Sequence, residues 1–185
     1  AYDDNSKNTV WYSTKNYRVN LYGEGGNFRI RDIHIYKDKV LDPFEDTVCT
    51  KNCATYEALP FVDGCRYTGK GVLAGGFISY VDGTQPEHNE MKFEDLGNGC
   101  AKVTYGDFVI ELNEKSFKIT GDKEFTFENR IGTHGNHLPE TVSIDKKTLN
   151  LNYGGVDYFI KLGEGNFESE RKIVSENNNV EIIFV

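Results

Sequence analysis

Apolar and polar residues alternate with a period of two along nearly the whole chain. Tyr17, Val19 and Leu21 fall on one side of the pattern, and Arg18, Asn20 and Tyr22 on the other. The same alternation returns in Phe125/Phe127, Val142/Ile144, Leu149/Leu151/Tyr153, Val156/Tyr158/Ile160/Leu162 and Val180/Ile182/Phe184. Successive side chains of a strand point to opposite faces, so this period means sheets with one buried side. No window carries a helical stripe. Turn-forming runs punctuate the strands: Gly97-Asn98-Gly99, Tyr105-Gly106-Asp107, Thr120-Gly121-Asp122, Asp145-Lys146-Lys147 and Gly154-Gly155. Short strands joined in this way predict an all-β fold, an antiparallel β-sandwich, with a meander near the C-terminus.

A chain of 185 residues fits one domain. At that size folding buries roughly 70% of the surface the unfolded chain exposes. With 12 Phe and 11 Tyr, large rings carry much of the core. The reading places residues 1–15 in an N-terminal tail and residues 16–185 in a single sandwich domain. Within the strand Phe28–Tyr36 the buried register shifts midway, from Phe28/Ile30 to Ile33/Ile35. One extra residue near Arg31 or Asp32 accounts for this, the signature of a β-bulge. Between Asp38 and Gly69 the alternation breaks. That stretch holds Pro43, Pro60 and three cysteines, and is expected to be a long cysteine-containing loop over one end of the sandwich.

The formal net charge is -8, with no basic stripe among aromatics, which speaks against a nucleic-acid partner. No apolar run approaches the length of a membrane span. The chain begins at Ala1 rather than Met, which suggests a processed mature end or a trimmed sequence; the expected location is secreted or on the cell surface, with a cytoplasmic location as the alternative. Four cysteines, Cys49, Cys53, Cys65 and Cys100, permit three pairings. If the chain is exported, Cys49–Cys53 and Cys65–Cys100 is the expected pairing. In a cytosolic protein they are free thiols, and zinc at Cys49 and Cys53 is a further alternative. No Asn-x-Ser/Thr acceptor is present.

Several clusters carry chemistry. Trp11, Tyr56 and Tyr67 offer flat apolar rings with polar edges, and Asp63, Arg66 and His137 offer groups that bond hydroxyls. Together they are the expected ligand-binding set, against a reading in which the rings close the sandwich ends and Asp63 caps a turn. His134, His137 and Glu140 could instead do acid–base work on a sugar or hold a metal, against a plain connection between strands. Asp82, Glu87 and Glu90 belong to an oxygen-rich loop that could take calcium, against a solvated turn; no other cofactor is expected. Gly23-Glu24-Gly25-Gly26 precedes a strand rather than a helix, so it is not a phosphate loop. There is no Gly-x-Ser-x-Gly elbow, and 29 acidic residues do not by themselves single out a glycosidase pair.

Residues 125–130 read Phe-Thr-Phe-Glu-Asn-Arg, residues 138–144 Leu-Pro-Glu-Thr-Val-Ser-Ile, and residues 149–158 Leu-Asn-Leu-Asn-Tyr-Gly-Gly-Val-Asp-Tyr. With Asn16–Ile35, these segments resemble the β-sandwich accessory domains of bacterial glycoside hydrolases, of the galactose mutarotase-like type. The resemblance implies a sugar-processing context and a flanking catalytic module or other polypeptide partner. The expected function is thus a non-catalytic, carbohydrate-associated accessory or binding domain of an exported bacterial protein. The alternatives are a sugar-active enzyme, epimerase or glycosidase-like, using His134, His137 and Glu140, and a calycin-like barrel for a small ligand.

Overall fold

The structure is a computed structural model that describes residues 2–4, 7–24, 27–38, 40, 48, 59–64, 74–84, 91–130 and 138–184. The strands are β1 (Tyr2–Asp4), β2 (Lys7–Ser13), β3 (Tyr17–Glu24), β4 (Asn27–Ile35), β5 (Leu59–Asp63) and β6 (Gly75–Tyr80). They continue with β7 (Lys92–Gly97), β8 (Cys100–Tyr105), β9 (Phe108–Leu112), β10 (Ser116–Thr120), β11 (Phe125–Arg130) and β12 (Glu140–Ile144). The last are β13 (Thr148–Tyr153), β14 (Val156–Glu164), β15 (Asn166–Ser169), β16 (Lys172–Val174) and β17 (Asn179–Ile183). No helix occurs among the described residues, and two antiparallel sheets pack as a sandwich.

The first sheet runs β1-β2-β3-β4-β6-β11-β16-β15, with β5 also paired to β4; the second runs β12-β13-β14-β17-β10-β9-β8-β7. Neither closes on itself among the described residues, so the calycin-like barrel is excluded: the first sheet ends at β1 and β15, with β5 a further edge, and the second ends at two edge strands. In the second sheet these edges are β7 and β12, exposed at every residue, and each has a register break, at Asp95/Gly97 and at Thr141/Ser143.

The core lies between the sheets. Val19, Leu21, Ile30, Ile33, Phe125 and Phe127 enter it from one side, and Val103, Phe108, Ile110, Phe117, Ile119, Ile160 and Val180 from the other. Each such side chain, fully buried, contributes about 1.5–3 kcal/mol. Phe108 meets Phe125 edge-on, with centroids 5.2 Å apart and planes at 83°. Tyrosines bond across the gap: Tyr12 Oη donates to the Gly99 carbonyl, and Tyr158 Oη to that of Pro60 at 2.5 Å.

The alternation places most strands within a residue or two. The departures have physical reasons. Residues 7–13, assigned to the N-terminal tail, form β2, paired to β3 along its whole length. Its outward face is polar and only Val10 is fully buried, so the hydrophobic pattern is too sparse to read. Leu59–Asp63, inside the expected loop, forms β5; its run is buried without alternation and contains Pro60. Pro is tolerated here because β5 is an edge, bonded to β4 alone. The hairpin β15–β16 rests on just two core residues, Phe167 and Ile173.

Candidate functional site

The outer face of the first sheet carries a polar group built by strand register. Trp11 pairs with Asn20, Asn20 with Asp32, and Asp32 with Asp63. Directly paired residues share a face, so these four form one row across β2, β3, β4 and β5. Trp11 and Asp63, both expected ligand residues, are three strand spacings apart, about 14 Å. The row depends on the expected bulge: Leu21 faces Ile30 but Asn20 faces Asp32, leaving Arg31 as the extra residue. The bulge directs both Arg31 and Asp32 outward while Ile30 and Ile33 remain in the core.

Around this row, cations and rings interleave. The Arg31 guanidinium lies 5.5 Å from the Trp11 ring centre and 5.1 Å from that of Tyr22. Arg18 approaches Trp11 at 5.9 Å, and Arg29 approaches Tyr22 at 5.4 Å. These are cation–π distances. Arg29 is anchored by donating to the Ala74 carbonyl at 2.6 Å. Arg31 has no carboxylate partner among the described residues, and its buried Nε makes no hydrogen bond. Trp11 is 50% exposed, so the ring these cations hold is open to solvent.

The other end of the row is buried. Arg18 Nε donates to Asp32 Oδ2 at 2.9 Å, and its terminal nitrogen lies 3.1 Å from His34 Nδ1. Arginine only donates, so Nδ1 accepts and the proton of His34 sits on Nε2, 3.0 Å from Asp32 Oδ1. Asp32, His34 and Asp63 bring ligand atoms within 4.8 Å of one another, a spacing that suits a metal ion. The tautomer set by Arg18 removes the Nε2 lone pair from ligation. As placed, the trio is an electrostatic cluster in which Arg18 bonds Asp32 and His34 while the Asp32–His34 approach is an ion-pair distance rather than a hydrogen bond, and Asp32 and His34 are each only 1% exposed.

A second feature opens between the sheets. A cleft of about 350 Å³ is lined by Phe61, Asn129, Leu149 and Leu151 inside and by Glu140, Thr141, Glu170 and Arg171 at its rim. Asn129 continues the core-facing register of Phe125 and Phe127 and is 3% exposed. Its Nδ2 donates to the Phe61 carbonyl at 2.6 Å, which fixes the amide orientation, and its Oδ1 has no hydrogen-bond partner among the described residues. At the rim, Thr141 Oγ1 donates to Glu170 Oε2 at 3.0 Å, and Arg171 Nε lies 3.5 Å from Glu170 Oε1.

Of the expected ligand set, Trp11 and Asp63 share the outer row, while Tyr56, Arg66, Tyr67 and His137 lie outside the described residues. Glu140 is on the cleft rim, and His134 also lies outside the described residues. In the acidic loop, both oxygens of Asp82 are engaged: Lys123 Nζ lies 2.8 Å from Oδ2, and Thr84 donates to Oδ1 from Oγ1 at 2.6 Å and from its amide at 2.9 Å. The Lys123 bond, with those from Thr84, holds its carboxyl at about 2. Glu87 and Glu90 lie outside the described residues, as do Cys49, Cys53 and Cys65. Cys100 is a half-buried thiol at the start of β8, with no disulfide among the described residues; its expected partner Cys65 lies outside them. Arg18, Arg31, Asp32, His34 and Asn129 were missed. The available signal was charged or amide side chains inside strands whose alternation is otherwise regular.

No family model matches this chain, no curated protein matches it, and no solved structure matches it.

Proposed function

We propose that this is a non-catalytic carbohydrate-binding domain that presents the outer face of its first sheet to a saccharide. The observation that carries the reading is the half-exposed Trp11 ring, approached by the Arg18 and Arg31 guanidiniums, in one row with Asp63. Such a ring is preorganised, so stacking a sugar on it costs little side-chain entropy. Arg31 supplies hydrogen-bond donors for hydroxyls beside the ring, and Asp63 lies about 14 Å away at the far end of the row, where only a further unit of a longer saccharide would meet it. Arg31, which has no carboxylate partner among the described residues, favours sugars that carry a carboxylate or sulfate.

Binding rather than hydrolysis is supported by the state of Asp32. It is paired to Asp63 as a retaining carboxylate pair would be, but it is 1% exposed and engaged by Arg18 and His34. A nucleophile must reach an anomeric carbon, and this one is enclosed. The resemblance noted above implies an exported bacterial protein and a flanking catalytic module or other polypeptide partner.

The test is a glycan array followed by calorimetric titration of the best neutral and acidic oligosaccharides. Binding should weaken about tenfold or more in Trp11→Ala, equivalent to about 1.4 kcal/mol. Arg31→Gln should lose affinity for acidic glycans selectively. Unchanged affinity in Trp11→Ala sinks the reading.

A further inference from the structure

We infer that the inter-sheet cleft is a second, separate ligand site, one that takes a single saccharide ring end-on. The ligand class rests on the carbohydrate reading; the site itself does not. Asn129 occupies a core-facing position in β11 where the alternation calls for an apolar residue. An amide there leaves an acceptor in an apolar wall. Its Nδ2 is committed to the Phe61 carbonyl, so the Oδ1 cannot be met by turning the amide over. A buried acceptor without a partner costs stability, and is retained where something else completes it.

The chemistry of the walls says what that something is. Phe61, Leu149 and Leu151 give an apolar interior suited to the C–H face of a pyranose. Asn129 Oδ1, buried behind this wall, accepts only. Glu140 and Glu170 at the rim also accept, and Arg171 is the one guanidinium among the lining residues. An acceptor-rich cleft calls for a donor-rich ring, which a neutral sugar with its hydroxyls is. The volume of about 350 Å³ falls in the range of small-molecule sites and holds a terminal sugar unit rather than a chain. The outer face and the cleft therefore differ in what they select: the former a flat stretch of chain, the latter one terminal ring.

The experiment is a titration of isotope-labelled protein with D-glucose, D-galactose and N-acetyl-D-glucosamine separately, following the Asn129 side-chain NH2 and the Thr141 and Leu151 amides by NMR. At least one sugar should give saturable shifts at all three. Those shifts should persist in Trp11→Ala, which disables only the outer face. Glu140→Trp, at an exposed edge position that should not disturb folding, should weaken cleft binding about tenfold or more and leave oligosaccharide binding at Trp11 intact. Asn129→Leu should abolish the response. Absence of saturable shifts with all three sugars overturns the inference and assigns Asn129 Oδ1 to a buried water. Shifts that vanish in Trp11→Ala also overturn it, because they place the sugar on the outer face.

Discussion

Tyr17 stacks on Phe184 with ring centroids 3.8 Å apart and planes 15° apart, joining the first sheet to the residue that follows the last strand of the second. The Tyr17 hydroxyl lies 2.8 Å from the Asn113 carbonyl oxygen and 2.9 Å from that of Ser116. Its proton and the stack together lock that end of the sandwich. Tyr17→Phe takes the hydroxyl donor from the Asn113 carbonyl, while the Ser116 carbonyl keeps the Asn113 amide, and should cost about 1–3 kcal/mol. Tyr17→Ala also loses the ring and should cost about 3–5 kcal/mol. Urea unfolding should show lower midpoints with an unchanged slope; wild-type midpoints would mean that the stack is incidental.

Burial pushes the Tyr17 and Tyr158 phenols well above their ordinary value. A group whose folded value is raised contributes stability in full below its unfolded value, and that contribution is lost as the pH rises past it. Stability should therefore fall above about pH 10. The ultraviolet phenolate band of these two residues should appear together with loss of structure. Phenolate signal from all tyrosines at about pH 10 with the fold intact would contradict this.

At the acid end the sign reverses. Asp82 is held at about 2 by its bonds to Lys123 and Thr84, and Glu176 is held below its usual range by Lys147. Depressed carboxyls contribute stability above their unfolded values, and lose it as the pH falls from about 4 to about 2. Thermal midpoints should drop across that window, and Lys123→Met should show a smaller drop. An identical drop in the variant would remove Asp82 from the account.

Arg18 is the partner that makes a buried Asp32 tolerable. Arg18→Ala should destabilise the fold by about 3–5 kcal/mol, the cost of leaving a buried charge alone. Arg18→Lys should rescue little, because one ammonium cannot address both Asp32 and His34 from the guanidinium positions. Chemical denaturation of both variants checks this, and full rescue by lysine would show that charge alone matters.

Gly64 sits against the bulge. Its amide donates to the Arg31 carbonyl at 2.6 Å, and a Cβ at Gly64 would collide with that same oxygen. Gly64→Ala should cost about 1–3 kcal/mol and, by shifting Arg31, weaken binding of acidic glycans although Gly64 itself need touch no ligand. Wild-type glycan affinity in a folded Gly64→Ala protein would separate the bulge from binding.

Much of this architecture is legible in the chain because a two-residue period leaves a mark wherever one face is buried. The alternations Leu149/Leu151, Tyr158/Ile160/Leu162 and Val180/Ile182 fall on the buried faces of β13, β14 and β17, and the break between Ile30 and Ile33 discloses the bulge. The site is less legible. Trp11 is visible as the single tryptophan, but Asp32 and Asp63, farther along its row, are 31 positions apart and meet only through pairing of β4 with β5. Asp32 and His34 sit on the polar side of the alternation, where a sequence reading expects solvent; their burial follows from tertiary packing. Asn129 is the reverse, a polar residue on the apolar side, and that single breach of pattern is the mark of the cleft.

The exposed edges of the second sheet have one more consequence. An open ladder invites a neighbouring chain to continue it. Here β12 offers Val142 and Ile144 to solvent, and β7 offers Phe93 and Leu96. Each is interrupted by its register break, and β7 adds Lys92, Glu94 and Asp95 along its short length. The irregularities act as terminators, so the sheet ends itself where growth would otherwise be downhill. A domain protected in this way can be crowded on a surface or strung beside other modules and keep its own boundaries.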